Sequence, residues 1–315
     1  MKKPLVIIAG PTATGKSKYS VMFSKRHNGS VISADSMQVY KYMDIGSAKI
    51  TKEEMQGVNH YLVDVLEPKE EFHVALFQQM AQEALDEIYE KNSLPVVCGG
   101  TGFYIQALLY GIDFSSGQEN PALREKLSLF AKEQGAHALF ERLKKVDPKS
   151  CETIHENNIK RVIRAIEYYE MTGEPISKHN EQEKEKESLY NYVFFVLNDD
   201  RKKLYEGIEK RVDLMVEMGL YDEVKRLYDM GYTKDYVSMQ GLGYKEVLDA
   251  INGEISFDEA IYRIKRDTRH FAKRQITWFK REKDVIWIDK KEFDYDDEKI
   301  LSFMEMECEK RNILC

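Results

Sequence analysis

The chain has 315 residues, 43% of them hydrophobic and 32% charged, which is the composition of a globular protein with one large domain or two. It has no apolar run near the roughly 18 residues of a membrane helix, no signal peptide and no C-x-x-C pair among four scattered cysteines, so we expect no membrane partner, no zinc site and a reducing cytoplasmic compartment. The net charge of −7 argues against a nucleic-acid partner, although it averages over a strongly basic segment described below.

Strands and helices alternate over the first part of the chain. Amphipathic stretches predict helices at residues 16–26 and 74–91. Short apolar runs predict buried strands at residues 5–9, 30–34, 61–65 and 94–98. This β-α-β order predicts a mostly parallel sheet flanked by helices.

After residue 111 the pattern becomes helical, and strand character returns only at residues 192–197 and 285–288. Residues 115–117 are a predicted loop, and the mixed-charge run 181–187 is a solvated loop or a helix end. Further helices are predicted at residues 121–134, 136–145, 158–172, 202–218, 220–230, 244–251 and 257–281. The predicted fold class is α/β: a core formed by residues 1–114 and 190–315, with an all-helical insertion at residues 115–189.

A phosphate-binding loop (P-loop) follows the first predicted strand. The motif G-x-x-x-x-G-K-[ST] is filled by Gly10, Pro11, Thr12, Ala13, Thr14, Gly15, Lys16 and Ser17, and it lies between a strand and a helix, as the motif requires. Its backbone N–H groups and the helix N-terminus can surround phosphate oxygens. Lys16 adds a positive charge, and the Ser17 hydroxyl is a candidate ligand for Mg²⁺.

Two further segments end strands at the same edge of the predicted sheet. Asp35 follows the second strand, where a carboxylate can act as a general base, ligate Mg²⁺ through water, or cap a turn. Thr101 lies in a glycine-rich turn after the fourth strand and can contact a ligand or cap the next helix. Position alone leaves these alternatives open for both residues.

Basic residues concentrate on one predicted helix. Residues 263–281 contain eight Lys or Arg and one acid, a net charge of +7, so the rest of the chain carries −14. Arg266, His270 and Arg274 recur at i, i+4 and i+8, on one helical face. Lys160, Arg161 and Arg164 form a second cluster in the insertion. Such a cluster is either a solvated face or a polyanion-binding surface, and the scarcity of acids over residues 263–281 favours the polyanion.

In combination these segments resemble the bacterial tRNA dimethylallyltransferases, a family of isopentenylpyrophosphate (IPP) transferases. The resemblance spans roughly residues 4–289, and the P-loop is its least specific part. The matching blocks are GPTATGKS (10–17), SADSMQVYKYMDIGSAK (33–49), GGTGFY (99–104), IHENNIKRVIRAIE (154–167), QGLGYKE (240–246) and RHFAKRQITWF (269–279).

The resemblance implies transfer of a dimethylallyl group from dimethylallyl diphosphate to N6 of the adenosine 3′ of the tRNA anticodon. It implies that the P-loop, although it resembles an ATP-binding motif, holds a diphosphate, with Mg²⁺ ligated by Ser17. Asp35, as the general base, Thr101 and Arg211 are the implied catalytic residues. The implied tRNA contacts are Asp35, Ser36, Met37, Gln38, Thr101, Arg124, Lys160, Arg161, Val162, Ile163, Arg164, Gln240, Gly241, Leu242, Gly243, Tyr244 and Lys245.

Three other functions compete with this interpretation. The same P-loop occurs in kinases that use ATP. A transferase acting on free adenine nucleotides would share the loop but would have little use for the basic helix. A non-catalytic RNA-binding module would not need an intact P-loop and Asp35. The expected partners are therefore dimethylallyl diphosphate and a tRNA anticodon stem–loop, and a monomer is the default expectation.

Overall fold

The computed structural model describes residues 2–114 and 120–314, so the loop predicted at residues 115–117 lies outside the described residues. The chain divides into two compact units. One comprises the residues up to Leu109 and from Leu189 onwards, and the other is Tyr110–Ser188. The insertion expected at residues 115–189 falls largely in the second unit, and its role in binding tRNA stays a prediction.

A six-stranded parallel sheet forms the core of the first unit. Its strand order is β3-β2-β4-β1-β5-β6, and each neighbouring pair is parallel. The central strand β1 is apolar and fully buried over residues 5–9, because it is covered on both faces. The strands are β1 (Pro4–Ala9), β2 (Gly29–Ser33), β3 (His60–Tyr61), β4 (Leu94–Gly99), β5 (Asn191–Asn198) and β6 (Val285–Asp289).

Helices cover this sheet and connect its strands. In the first unit they are α1 (Lys16–Arg26), α2 (Lys52–Met55), α3 (Val74–Glu90), α4 (Gly102–Tyr110), α8 (Arg201–Glu217), α9 (Leu220–Asp229), α10 (Tyr244–Ile251), α11 (Phe257–Phe279) and α12 (Asp297–Lys310). No helix in the described ranges has an apolar stretch long enough to cross a bilayer. The parallel sheet flanked by helices confirms the predicted fold class.

The second unit is helical over its described residues. It contains α5 (Pro121–Val146), α6 (Ile159–Thr172) and α7 (Ile176–Glu185). Gly135 interrupts α5 with φ +87° and ψ 161°, which confirms the break predicted between two helices there. The charged run 181–187 contains the end of α7, the second of the two alternatives that the sequence allowed.

One predicted strand is wrong in its extent. The apolar run 61–65 predicted a full strand, but β3 ends at Tyr61. Leu62 and Asp64 adopt left-handed backbone angles, with φ +60° and +61°, which an extended strand cannot accommodate. Helices α2 and α12 lie where the sequence analysis predicted no helix, whereas α4 begins directly after Thr101, where the helix-cap alternative placed one.

Candidate active site

The P-loop connects the end of β1 to α1 and leaves its amide groups open. Gly10 and Gly15 both have positive φ, and a Cβ on Gly10 would lie 2.5 Å from the Leu197 carbonyl oxygen, so a glycine is required there. The N–H groups of Gly15, Lys16 and Ser17 have no acceptor among residues 2–114 and 120–314. Backbone N–H groups without an acceptor at a helix N-terminus form an anion-binding site.

Not every P-loop side chain faces the anion site. Thr14 is fully buried, and its hydroxyl donates to the Pro11 carbonyl oxygen at 2.8 Å, which stabilises the loop itself. The Lys16 ammonium donates to the same oxygen at 2.8 Å. Thr14 and Pro11 therefore serve the loop conformation, while the open amides and Lys16 supply the groups that can bind phosphate.

Two basic side chains meet at the P-loop. The Arg211 guanidinium on α8 donates to the Thr12 hydroxyl at 3.1 Å. Burial and the nearby Arg211 lower the pKa of Lys16 to about 8, against the opposing influences of Cys98 and Asp35. Burial also lowers the pKa of Arg211, against the influence of Asp35. The three side chains predicted to surround the reacting groups therefore share one electrostatic environment, and two of them lack full charge compensation.

Asp35 uses one carboxylate oxygen for structure. Its Oδ1 accepts the N–H groups of Met37 at 2.8 Å and Gln38 at 3.3 Å, which is a turn cap. Its Oδ2 has no hydrogen-bond donor among residues 2–114 and 120–314. The two alternatives left open by the sequence are thus compatible, because one oxygen fixes the turn and the other can accept a proton.

The glycine-rich turn after β4 lies beside both preceding segments. The Thr101 N–H donates to the Ala34 carbonyl at 3.3 Å, immediately before Asp35. Gln275, which is buried on α11, donates to the Gly100 carbonyl at 2.9 Å and accepts the Thr12 N–H at 3.0 Å. This one amide side chain therefore joins the P-loop to the turn that carries Thr101.

Gln275 was missed by the sequence analysis, although the sequence contains a signal for it. It occupies a buried position on the face of α11 that also buries Ile264, Ala272 and Phe279. A glutamine on an otherwise apolar helical face must find partners for both its donor and its acceptor. The close approach of Gln275 to the turn also requires a glycine at position 100, because a Cβ there would lie 2.1 Å from the Gln275 amide nitrogen.

The segment 240–245 adjoins the Asp35 turn, but not all of it is accessible. A Cβ on Gly241 would lie 2.4 Å from the Met37 side chain, so the two predicted tRNA-contacting segments touch. Gln240 is exposed. Tyr244 is fully buried and its hydroxyl donates to Glu223 at 2.8 Å, so its side chain supports this segment from inside, and the tRNA contact expected of the segment stays a prediction.

The helical unit presents only part of its predicted basic cluster. Lys160 and Arg161 are exposed on α6. Arg124 and Arg164 are about one-third exposed, and both form ion pairs with the fully buried carboxylate of Glu167. Glu167 has a lowered pKa, because hydrogen bonds from Arg124, Asn120 and Arg164 outweigh the opposing effect of burial.

Two other residues of that cluster lie inside the helical unit. Val162 is fully buried and Ile163 is 6% exposed, and both belong to its hydrophobic core. Their side chains pack against the apolar face of α5 and support α6, so the tRNA contact predicted for this cluster depends on its exposed residues.

The basic face of α11 is partly neutralised by neighbouring acids. The acidic partners lie on α8 or on α11 itself, and all but Asp267 lie outside the segment whose charges were counted. The pairs are Arg263–Glu259, Lys265–Asp213, Arg266–Asp267 and Arg269–Glu209. Within the described ranges, the basic residues of this segment without an acidic partner are Lys273, Arg274, Lys280 and Arg281. The free positive charge therefore lies towards the end of α11.

Known proteins resemble this chain over most of its length. The model of the IPP transferase family matches residues 38–282. A tRNA dimethylallyltransferase of Lachnoclostridium phytofermentans is 57% identical over 93% of this chain and 94% of its own length. The crystal structure of the tRNA isopentenylpyrophosphate transferase of Bacillus halodurans is 44% identical, with a TM-score of 0.74 over 99% of this chain and 98% of that one. A eukaryotic dimethylallyltransferase acting on tRNA has a TM-score of 0.77 at 28% identity, over 91% of this chain and 74% of that one.

The lowered pKa of Lys16 predicts a pH limit on anion binding. A diphosphate favours the protonated ammonium, whose pKa is about 8 in the free protein. Affinity for inorganic pyrophosphate should therefore be full below pH 8 and fall by up to about tenfold per pH unit above it. Calorimetric titrations between pH 7 and 9.5 would measure this.

Lys16→Arg is the matched control for that titration, because a guanidinium stays protonated over the whole range. Its profile reports only the titration of the pyrophosphate itself. Equal slopes in the wild type and in Lys16→Arg would show that Lys16 does not control binding.

Proposed function

The chain belongs to the IPP transferase family, and we propose that it transfers a dimethylallyl group from dimethylallyl diphosphate to tRNA, at N6 of the adenosine 3′ of the anticodon, releasing diphosphate. One observation carries this proposal. The sheet edge combines an open amide cradle with two half-buried basic groups, Lys16 and Arg211, and, beside them, a carboxylate with one oxygen available for a proton. Such a site suits a reaction in which an anion departs while a proton leaves the acceptor.

The diphosphate half of the site stabilises the leaving group. As the bond between the allylic carbon and oxygen breaks, its electron pair passes to the diphosphate, where negative charge accumulates. The P-loop amides, Lys16 and Arg211 are fixed around the position where that charge forms. Because Lys16 and Arg211 are partly removed from water, their effect on the transition state is greater than it would be on a fully exposed surface.

The acceptor half of the site must activate a weak nucleophile. The lone pair of the adenine N6 is delocalised into the ring, so its attack on the allylic carbon becomes easier as a proton leaves the nitrogen. Asp35 Oδ2 is the group proposed to take this proton. An adenosine stacked in the anticodon loop must first leave the stack, at a cost of a few kcal/mol, to reach the carboxylate.

The residues present also fit a magnesium ion bound together with the diphosphate. Ser17 is exposed next to the open amides, and its hydroxyl has no hydrogen-bond partner within the described ranges, so it would hold the ion. Mg²⁺ would neutralise part of the charge on the diphosphate oxygens. No group of three His, Cys, Asp or Glu side chains that could bind a metal by themselves occurs among the described residues, so the diphosphate would complete the coordination.

The function is tested by incubating the purified protein with tRNA and labelled dimethylallyl diphosphate, followed by nucleoside analysis of the digested tRNA. We expect label in N6-dimethylallyladenosine from the position 3′ of the anticodon. Parallel reactions with AMP as acceptor test the alternative of a free nucleotide, and calorimetry with ATP–Mg²⁺ tests a kinase. Label in AMP but not in tRNA would overturn the proposal.

Asp35→Asn separates the two roles of Asp35. The asparagine oxygen can still accept the N–H groups of Met37 and Gln38, but the amide cannot accept a proton at neutral pH. We expect single-turnover transfer to fall by about 10²-fold or more, with affinity for dimethylallyl diphosphate unchanged. Asp35→Ala, which loses the turn as well, should be at least as slow. Near-normal transfer in Asp35→Asn would contradict the assignment of the base.

Lys160 and Arg161 are predicted to bind tRNA phosphates through the exposed side of α6. Replacing either by Ala should weaken binding of an anticodon stem–loop and reduce the slope of log K against log[salt] by roughly one unit or less. Filter binding at several salt concentrations measures both. Lys178→Ala is the control, because Lys178 lies in the same unit and already pairs with Glu174 at 2.9 Å. Equal slopes in all of these variants would exclude α6 as a phosphate-binding surface.

A further inference from the structure

A buried carboxylate that the mechanism does not use lies at the junction of two site segments. Glu223 on α9 is 4% exposed. Its Oε2 accepts the N–H groups of Asp44 at 2.9 Å and Ile45 at 2.8 Å, and its Oε1 accepts the Gly46 N–H at 3.0 Å and the Tyr244 hydroxyl at 2.8 Å. Three successive backbone amides therefore surround this carboxylate as they would surround a bound anion.

Only a carboxylate satisfies all four donors. A glutamine would offer one acceptor oxygen, and its NH₂ group would face donors. No basic side chain within the described ranges pairs with Glu223, so these hydrogen bonds alone compensate for its burial. Burial and the Glu223 charge together raise the pKa of Tyr244 well above its ordinary value, which keeps the phenol protonated as a donor.

The backbone amides that donate to Glu223 lie at the start of a tight turn, and hydrogen bonds connect this turn to the Asp35 turn. Within this turn, the Ala48 N–H donates to the Ile45 carbonyl at 3.0 Å. The Gln38 side chain in turn donates to the Ala48 carbonyl at 3.1 Å. The Gln38 N–H is one of the two that Asp35 Oδ1 accepts. Four hydrogen bonds, linked through Ile45, Ala48 and Gln38, thus connect Glu223 to the proposed base.

The second site segment reaches the same carboxylate through Tyr244. This residue begins α10, directly after the connection that contains Gly241 and its contact with Met37. The Tyr244 ring also packs so closely on Gly46 that a Cβ there would lie 2.7 Å from the ring, which requires a glycine. Residues 35–38 and residues 240–245 are therefore both anchored on Glu223.

We propose that Glu223 is a positioning residue for the acceptor, which fixes Gln38 and the Asp35 turn so that the target base meets Asp35 in a productive geometry. This inference rests on the proposed function. It assigns to Glu223 no contact with either substrate. The diphosphate side of the site, which is organised by Gln275 and Arg211, does not depend on it.

Glu223→Gln tests the proposal by kinetics. Displacing a reacting group by about 1 Å can cost on the order of 10²-fold in rate, so we expect kcat for transfer to tRNA to fall by about 10- to 100-fold. Affinity for dimethylallyl diphosphate should stay within about twofold of wild type, because the P-loop is untouched. Tyr244→Phe, which keeps the three amide bonds, should cause a smaller loss and remains informative if Glu223→Gln does not fold.

A double-mutant cycle with Gln38→Ala distinguishes positioning from a general loss of stability. If Glu223 acts through Gln38, the double variant should be little slower than the slower single variant. Ser238→Ala is the matched control, because it removes one buried hydrogen bond, from Ser238 Oγ to the Pro68 carbonyl, outside both segments. The proposal would be overturned if the double variant lost as much rate as the product of the two single losses. It would also be overturned if Ser238→Ala lost as much rate as Glu223→Gln.

Hydrogen exchange provides a readout that does not depend on the reaction. Peptides covering residues 35–50 should exchange faster in Glu223→Gln than in wild type, and those in Ser238→Ala should not. Faster exchange confined to residues 44–46, with residues 37–38 unchanged, would overturn the proposal even if transfer to tRNA is observed. Wild-type protein that transfers nothing would overturn the proposed function alone, and the exchange result would still decide whether Glu223 holds this segment.

Discussion

The parallel alignment of the strands is the constraint on which the site depends. Because β2, β4 and β1 run in the same direction, their carboxyl ends open at one edge of the sheet. The register places Ala9 opposite Gly99, and Ser33 opposite Cys98. The P-loop, the Asp35 turn and the turn containing Thr101 therefore start side by side, although long stretches of chain separate them. A phosphate cradle and a base can be neighbours only because the sheet is built this way.

Two side chains hold these loops in place, and their charges match their surroundings. Gln275 joins the P-loop to the Gly100 turn with a neutral amide. A glutamate there could accept the Thr12 N–H equally well, but it would repel the Gly100 carbonyl and any diphosphate. Glu223 lies instead where three amides and a phenol converge, so its negative charge is stabilised by donors. The chain places a neutral group beside the anion site and a carboxylate where only donors point.

The sequence predicted the site where the chemistry depends on local pattern. The P-loop with the strand before it, and Asp35 with the strand before it, can each be recognised from a short stretch of sequence. The structure places both segments at the ends of their predicted strands. Contacts between distant segments were not predictable in the same way. The burial of Tyr244 depends on a carboxylate on another helix. Val162 faces the core because α6 packs on α5, and the length of a basic motif does not reveal which of its residues face inward.

Ion pairing between helices changes what the basic segments can contribute. Arg269 and Lys265 form ion pairs with acids on α8, so part of the positive charge of α11 is neutralised within the protein. Non-specific attraction to a polyanion grows with the number of uncompensated charges. Because the chain is acidic overall and part of its basic segment is paired, we expect fixed geometry as well as charge to contribute to RNA recognition. The two arginines held on the buried carboxylate of Glu167 fit that requirement, because a guanidinium that is already immobilised loses little further entropy on meeting a phosphate.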